Sequence, residues 1–405
     1  MGQKLHHGRR SVFRKRSPLA RLLPAALTVL GVAAIVAVGF FGAKYLMEHP
    51  LSHPQDPAST PSAGSEPVSE DTSAPADQPA SAVGTASLQA FTLPAAALHG
   101  QADLTATLQS AAQAGFNGVV VDMKDADGTL YYRSATDRAA QVNSAADDAF
   151  TVAELRTLFA DIRQAGLQPI VRLYAFRDNA AARVLADARI FPTGNSEWVW
   201  YDNNPANGGK AWLNPYADAA HLYIIDLARE LRDAGAAAIL LDGVQFPAQT
   251  SGTDIDSTAN GQSRAAALTA FIREAQELLG DHCPVILACT GESAQGEKTQ
   301  VYGGNPLTFG ADATAPLLRA DDVTAADGQT AEEALAAAIQ AKVHQMLTRI
   351  KVVEGDKTVL TPMLDTTGLD TSGIRPLLSG CKAGGADSYI LSAPDGQYDF
   401  AALQG

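Results

Sequence analysis

Beyond residue 87 the chain repeats one pattern. A short aliphatic run is followed by a stretch of helical period, and then another aliphatic run begins. Eight runs fit, over 88–93, 119–122, 169–174, 238–242, 285–289, 313–318, 359–364 and 389–392. Helical patterns lie between them at 104–114, 152–165, 219–234, 264–279, 331–350 and 374–383. Short apolar runs bounded by turn signals are the mark of strands buried on both faces. Three helical patterns close on Ala-Gly: Ala114-Gly115, Ala165-Gly166 and Ala234-Gly235. Glycine just past the last turn is a helix stop. Strand–helix alternation demands a parallel sheet, since parallel neighbours need a crossover about as long as a helix. Eight units over about 315 residues predict a (β/α)8 TIM barrel, with an open doubly wound sheet as the competing arrangement. The sixth run sits in a mixed segment, 312–322.

The first 87 residues read differently. Lys4, Arg9, Arg10, Arg14, Lys15, Arg16 and Arg21 are basic, and no acid precedes Leu22. The next 22 residues, Leu22 to Ala43, carry no charge, which is enough to cross a bilayer. Basic residues before such a span place the N-terminus in the cytoplasm. A cleaved signal peptide is the competing reading, but Lys44-Tyr-Leu-Met-Glu48 offers no small-residue cleavage site. The expected organisation is a basic cytoplasmic tail at 1–21 and a transmembrane signal-anchor at 22–47. A Pro/Ser/Ala-rich linker follows at 48–87, too poor in large apolar residues to bury a core. The barrel at 88–405 is then extracytoplasmic, on a single-pass membrane protein.

Charge narrows the partners. The chain has 30 Lys and Arg against 44 Asp and Glu. With the seven basic residues of the tail set aside, 23 face 44, a balance of −21. Such a surface repels nucleic-acid phosphate and suits a neutral or cationic ligand. Cys283, Cys289 and Cys381 have no metal spacing, and the first two flank one strand, about 20 Å apart and too far for a disulfide. They are expected to be buried thiols.

Working residues of a barrel stand at the C-terminal strand ends. Those ends carry Asp122, Lys124 and Asp125; Arg172, Tyr174 and Arg177; Asp242 and Gln245; Glu292; Asp321 and Asp322; Asp365; and Asp395. A ring of carboxylates with few histidines suits glycoside hydrolysis, in which one carboxyl serves as acid and another as base or nucleophile. Asp122 and Asp242 stand out because each follows directly from a buried run; a helix cap or structural salt bridge is the plainer role for either. Asp122, Asp125, Asp127 and Gly128 approach a Ca²⁺-loop spacing, but no Glu stands at the twelfth position. His221 reads as a surface or packing histidine on a helix. No Gly-x-Ser-x-Gly elbow and no phosphate-cradling glycine loop is present, and neither metal nor cofactor is called for. All three tryptophans, Trp198, Trp200 and Trp212, fall in the excursion 176–214, with Tyr216 just beyond. They either stack on sugar or pack a small core under the loop.

The string Val119-Val-Val-Asp-Met-Lys-Asp-Ala-Asp-Gly-Thr-Leu-Tyr-Tyr132 resembles the hallmark of a bacterial family labelled the putative glycosyl hydrolase domain. Its later blocks are matched in order by 169–178, by Ala211-Trp-Leu-Asn-Pro-Tyr216 and by Leu241-Asp-Gly-Val-Gln-Phe-Pro247. The resemblance is fainter through 361–365 and 385–391. It implies a (β/α)8 barrel acting on carbohydrate, often surface-anchored, with Asp122, Lys124, Asp125 and Asp242 at the site. Gly243 stands where the family carries an aromatic residue and Gln245 where it carries arginine. Asn214 and Cys289 replace acids. These losses remove charge partners that tune a catalytic pair, and leave open a slow enzyme, an altered substrate or a non-catalytic sugar binder.

The expected site is therefore an Asp122–Asp242 carboxylate pair. Lys124, Asp125, Arg172, Tyr174 and Gln245 bind substrate, and Trp200, Trp212 and Tyr216 stack on sugar. The expected partner is a carbohydrate, reached by a monomeric barrel tethered to the membrane. A dead carbohydrate-binding barrel and an envelope-interaction platform are the alternatives.

Overall fold

The computed structural model describes residues 87–99, 101–320, 328–354 and 358–403. The uncharged run at 22–43, the linker up to residue 86, and Asp321 and Asp322 lie outside them. Among the described residues no helix is long and apolar enough to cross a membrane.

The strands in chain order are β1 (Gln89–Leu93), β2 (Gly118–Lys124), β3 (Leu130–Tyr132), β4 (Ala145–Phe150), β5 (Gln168–Tyr174) and β6 (Ala238–Asp242). They continue with β7 (Val285–Thr290), β8 (Ala313–Leu318), β9 (Val359–Leu360), β10 (Met363–Asp365) and β11 (Tyr389–Ser392). Parallel pairing runs β1–β2–β5–β6–β7–β8–β10–β11 and returns to β1. The described residues thus close into an eight-stave parallel barrel rather than an open sheet. The seventh stave is predicted as one strand over 359–364 but is broken into β9 and β10 at Thr361-Pro362. Proline has no N–H for the ladder, so continuous pairing fails there. The sixth run, in its mixed segment, forms β8 as expected.

Alternation along the staves sorts the side chains into two layers. Ala90, Val120, Ile170, Ala238, Leu240, Ile286, Ala288, Ala313 and Ala315 fill the barrel interior as one cluster. Phe91, Val119, Val121, Val171, Ile239, Leu241 and Leu287 belong to the larger cluster beneath the helices. Two residues above Val120, Ile170 and Leu240 on the inward face come Asp122, Arg172 and Asp242. The pattern that buries the core therefore also aims these charges into the barrel mouth.

The helices begin and end where the local chemistry says. Thr151 caps the helix Val152–Gln164 in a reciprocal capping box with Glu154, worth about 1 kcal/mol at such an N-cap. The three predicted glycine stops take φ of +91°, +88° and +113° at Gly115, Gly166 and Gly235. Two features have no counterpart in the sequence reading. The segment after β2 adds β3, antiparallel to β2, and then β4, parallel to β3. The excursion after β5 contains a short helix, Asn179–Val184, and is pinned by the bridges Arg189↔Leu213 and Tyr201↔Ala211.

Candidate functional site

Asp122 on β2 and Arg172 on β5 are direct neighbours in register, and Tyr174 faces Asp242 across β5 and β6. Arg172 clamps Asp122 with both forks: Nε lies 2.6 Å from Oδ1 and Nη2 lies 2.7 Å from Oδ2. Its Nη1 reaches 4.0 Å from Asp242 Oδ2. The guanidinium also lies over the Tyr174 ring, 5.7 Å from its centre. Asp242 accepts a 2.7 Å hydrogen bond from the Gly243 N–H and another from the Tyr174 hydroxyl. Four of the expected residues, Asp122, Arg172, Tyr174 and Asp242, thus form one cluster at the C-terminal mouth. Each of the three charged side chains keeps roughly a fifth of its surface open to solvent.

The electrostatics separate the two carboxylates. Burial pushes the Asp242 carboxyl above its ordinary pKa; Arg172, Gly243 and Tyr174 pull it part of the way back, and Asp122 adds to the rise. Burial disfavours the charge on Arg172, yet the two carboxylates outweigh it and raise the guanidinium pKa. Burial and the Asp242 charge also push the Tyr174 phenol up, so it stays a hydrogen-bond donor. The mouth therefore holds one carboxylate clamped by both forks of a guanidinium, beside a second whose pKa burial raises.

Other expected site residues lie elsewhere. Lys124 is expected at the mouth, but the β2–β5 register slips between Asp122 and Lys124. Such a bulge re-aims the residue that follows it. Lys124 is fully buried, with Nζ 2.9 Å from Asp178 Oδ2 and 2.5 Å from the Tyr174 carbonyl oxygen. Its charge is committed inside the fold, where no substrate reaches it. Asp125 holds its own turn, accepting from the Asp127 and Thr129 N–H groups at 2.9 Å each, and takes the Tyr131 hydroxyl at 3.1 Å.

The tryptophans resolve towards the small-core alternative. Trp200 and Trp212 are 7% and 5% exposed. Their indole N–H groups donate to the Ser251 carbonyl and to Asp202 Oδ2, which fixes both rings within the excursion. Trp198 is instead the exposed tryptophan, at 67%. Tyr216 is half-buried against Phe246. Gln245 lines a cavity beside the mouth. Asn214 is buried and structural, accepting from the Tyr216 N–H and donating to Thr258.

The remaining strand-end acids are spread round the rim. Glu292 pairs with Lys298 at 2.9 Å. Asp365 pairs with Arg319 at 3.0 Å and accepts from Thr367. Asp395 caps the Gln397 N–H. His221 packs between Phe176 and Phe271 and bonds Glu274 and the Pro215 carbonyl. All three cysteines are buried and unpaired. Among the described residues no group of acids, histidines and cysteines is arranged to hold a metal.

Two residues near the site carry no strong signal in the sequence. Asp178 is the buried partner of Lys124 and also the N-cap of Asn179–Val184, accepting from Ala181 N–H at 2.7 Å. Its place before a helix start was the available clue. Tyr302 comes from the loop after β7. Burial raises its phenol, with Cys289 and Asp242 adding to the rise, and it bonds Thr290. A tyrosine in a glycine-rich loop offers no pattern that would single it out.

A family model described as the putative glycosyl hydrolase domain matches residues 90–299, more than half of the chain. The chain belongs to that family. The match spans the staves from β1 to β7 and so includes the whole Asp122–Arg172–Asp242 cluster. No curated protein matches the chain. Among solved structures it is similar to the glycoside hydrolase domain of PelA from Pseudomonas aeruginosa, at 15% identity and a TM-score of 0.43, over 78% of this chain and 98% of that one. It is similar to a hypothetical protein from Ruminiclostridium thermocellum at 20% identity and a TM-score of 0.41, over 48% of this chain and 96% of that one. It is also similar to a GH20 β-N-acetylhexosaminidase from Streptomyces coelicolor, at 13% identity and a TM-score of 0.41. That match covers 78% of this chain but only 60% of the Streptomyces protein. At such identities and TM-scores these likenesses carry no argument about activity.

Proposed function

We propose that this family member hydrolyses glycosidic bonds of a poly- or oligosaccharide, using Asp242 and Asp122 at the C-terminal mouth. One observation carries the reading: a single guanidinium stands between two inward carboxylates and treats them differently. Asp242, its carboxyl raised by burial, is suited to deliver a proton to the departing sugar oxygen. General acids in such sites need a pKa lifted towards the working pH. Asp122, clamped by the Arg172 fork at 2.6 and 2.7 Å, retains a free lone pair on each oxygen. Those can stabilise positive charge developing on the sugar ring, or orient a water.

The bidentate clamp also supports a second reading. A carboxylate with both oxygens tied to arginine is a weak base, which suits a barrel that binds carbohydrate without turning it over. Asp242→Asn separates the two. For an enzyme, turnover of a responsive glycan falls by about 10²–10⁴-fold, the usual worth of general acid–base assistance, while binding survives. A wild-type hydrolysis rate left unchanged by both Asp242→Asn and Asp122→Asn would remove this pair from the mechanism.

The proposal extends to placement. Seven basic residues before an uncharged 22-residue span support a single-pass anchor with the barrel outside the cytoplasm. The Pro/Ser-rich linker would then hold the mouth clear of the membrane, reaching roughly 35 Å as a random coil.

A further inference from the structure

The loops after β5 and β6 enclose a cavity of about 580 Å³ lined by Arg177, Asp202, Asn203, Trp212, Gln245 and Gln249. Its volume falls within the range of about 300–1,000 Å³ typical of small-ligand sites. Its lining begins three residues beyond the proposed cluster, with Gln245 after Asp242 and Arg177 after Tyr174. Between them Gly243 follows Asp242 directly, and a Cβ built on it would stand 3.3 Å from Tyr174 Cδ1 and 3.8 Å from Arg177 Cβ. The glycine sits at φ +60°, a conformation that side chains other than glycine rarely adopt.

The polar groups round the cavity divide into those already committed and those left free. Asp202 is committed: its oxygens accept from the Trp212 indole N–H at 2.9 Å and from the Lys210 backbone N–H at 2.7 Å. Lys210 spends its own ammonium on Asp127. Asn203 accepts from the Asn204 N–H. The guanidinium of Arg177 and the side-chain amides of Gln245 and Gln249, in contrast, make no hydrogen bond or ion pair among the described residues. They present a fork of donors and two amides, each of which both donates and accepts.

We infer that this cavity is a flanking subsite for a neutral, hydroxyl-rich sugar unit of the same glycan that reaches Asp242. The inference rests on the carbohydrate reading above and names the part of the ligand next to the reacting bond. The donor–acceptor balance selects the ligand. A hydroxyl donates and accepts, and so can use both ends of each amide, whereas a carboxylate can accept from their N–H groups only and leaves the amide oxygens unused. Arg177 and Asp202 cancel in formal charge, so the cavity offers no net attraction to an acidic sugar. The barrel's own balance over 88–405, 22 basic against 38 acidic residues or −16, opposes one further. Arg177 serves a neutral unit as a two-pronged donor to adjacent hydroxyls.

The test is equilibrium binding by titration calorimetry on the purified full-length protein. The probes are a neutral β-glucan tetrasaccharide, an N-acetylglucosamine tetrasaccharide and, as the acidic counterpart, tetragalacturonate. At least one neutral probe is expected to bind, and the Gln245→Ala, Gln249→Ala double variant to weaken it about tenfold, the worth of one to two hydrogen bonds. Ala248→Trp, at an exposed position on the rim, fills the cavity without touching the core and should weaken the same probe at an unchanged melting temperature. Asp242→Asn should leave that binding in place. Preference for tetragalacturonate, binding indifferent to both cavity variants, or no neutral probe binding at all would each overturn the subsite. The two readings fail separately. Asp242-dependent hydrolysis with no response to the cavity variants sinks the subsite alone. Neutral binding that responds to them, with no turnover, sinks the catalytic proposal alone.

Discussion

Lys124→Met removes one half of an ion pair in which both side chains are fully buried, 2.9 Å apart. The ammonium also bonds the Tyr174 carbonyl at 2.5 Å, so its loss strands a buried carboxylate and frees the backbone beneath Tyr174. Breaking a buried pair from one side costs about 3–5 kcal/mol, because the remaining charge keeps its desolvation penalty without its partner. For a barrel of about 315 residues the unfolding entropy is roughly 0.7 kcal/mol/K, so Tm should fall by about 4–7 °C. Asp178→Asn should cost a similar amount by stranding Lys124. It does not do so through the N-cap, since Asn caps the helix Asn179–Val184 about as well as Asp. The double variant Lys124→Met, Asp178→Asn removes both charges together and should cost no more than about 2 kcal/mol, far below the sum of the single changes. Urea unfolding with a common m-value gives all three numbers. A single Lys124→Met cost below about 1 kcal/mol, or a double variant that equals the sum, would refute the buried-pair argument.

Three further outcomes follow from the geometry. If Asp242 works as the acid, activity falls as pH rises through its pKa; Arg172→Met removes the cation that pulls that pKa down and unmasks Asp122, which pushes it up. The alkaline limb of kcat/KM should therefore move to higher pH, and a limb that stays or moves lower would exclude this role. Trp212→Ala should destabilise by about 3–5 kcal/mol as a core truncation, whereas Trp198→Ala, at an exposed ring, should cost under about 0.5 kcal/mol; equal costs would contradict the small-core packing. Protease added to intact cells should release a fragment cut within residues 50–87, if that Pro/Ser/Ala-rich segment is the proposed linker; cleavage only after lysis would reverse the proposed orientation.

The barrel was legible because its physics is local and repeated. Short aliphatic runs, helices closed by Ala114-Gly115, Ala165-Gly166 and Ala234-Gly235, and charges at the ends of several runs are all properties of neighbours in the chain. The same reading placed Asp122, Arg172 and Asp242 at strand ends before any contact was known. Register and packing between distant segments were not legible. Arg172 meets Asp122 across strands 50 residues apart, and one slipped residue in β2 turns Lys124 from the mouth into a buried pair with Asp178. Trp200 and Trp212 look the same in sequence whether they face a sugar or a loop core; only the bridges across the excursion after β5 decide that they are covered. Chain neighbours determine which residues share a face, because that follows from backbone period alone. Which of those faces meets solvent, and which charge finds a partner, is decided by tertiary structure, because desolvation and ion pairing depend on atoms that sequence distance does not bring together.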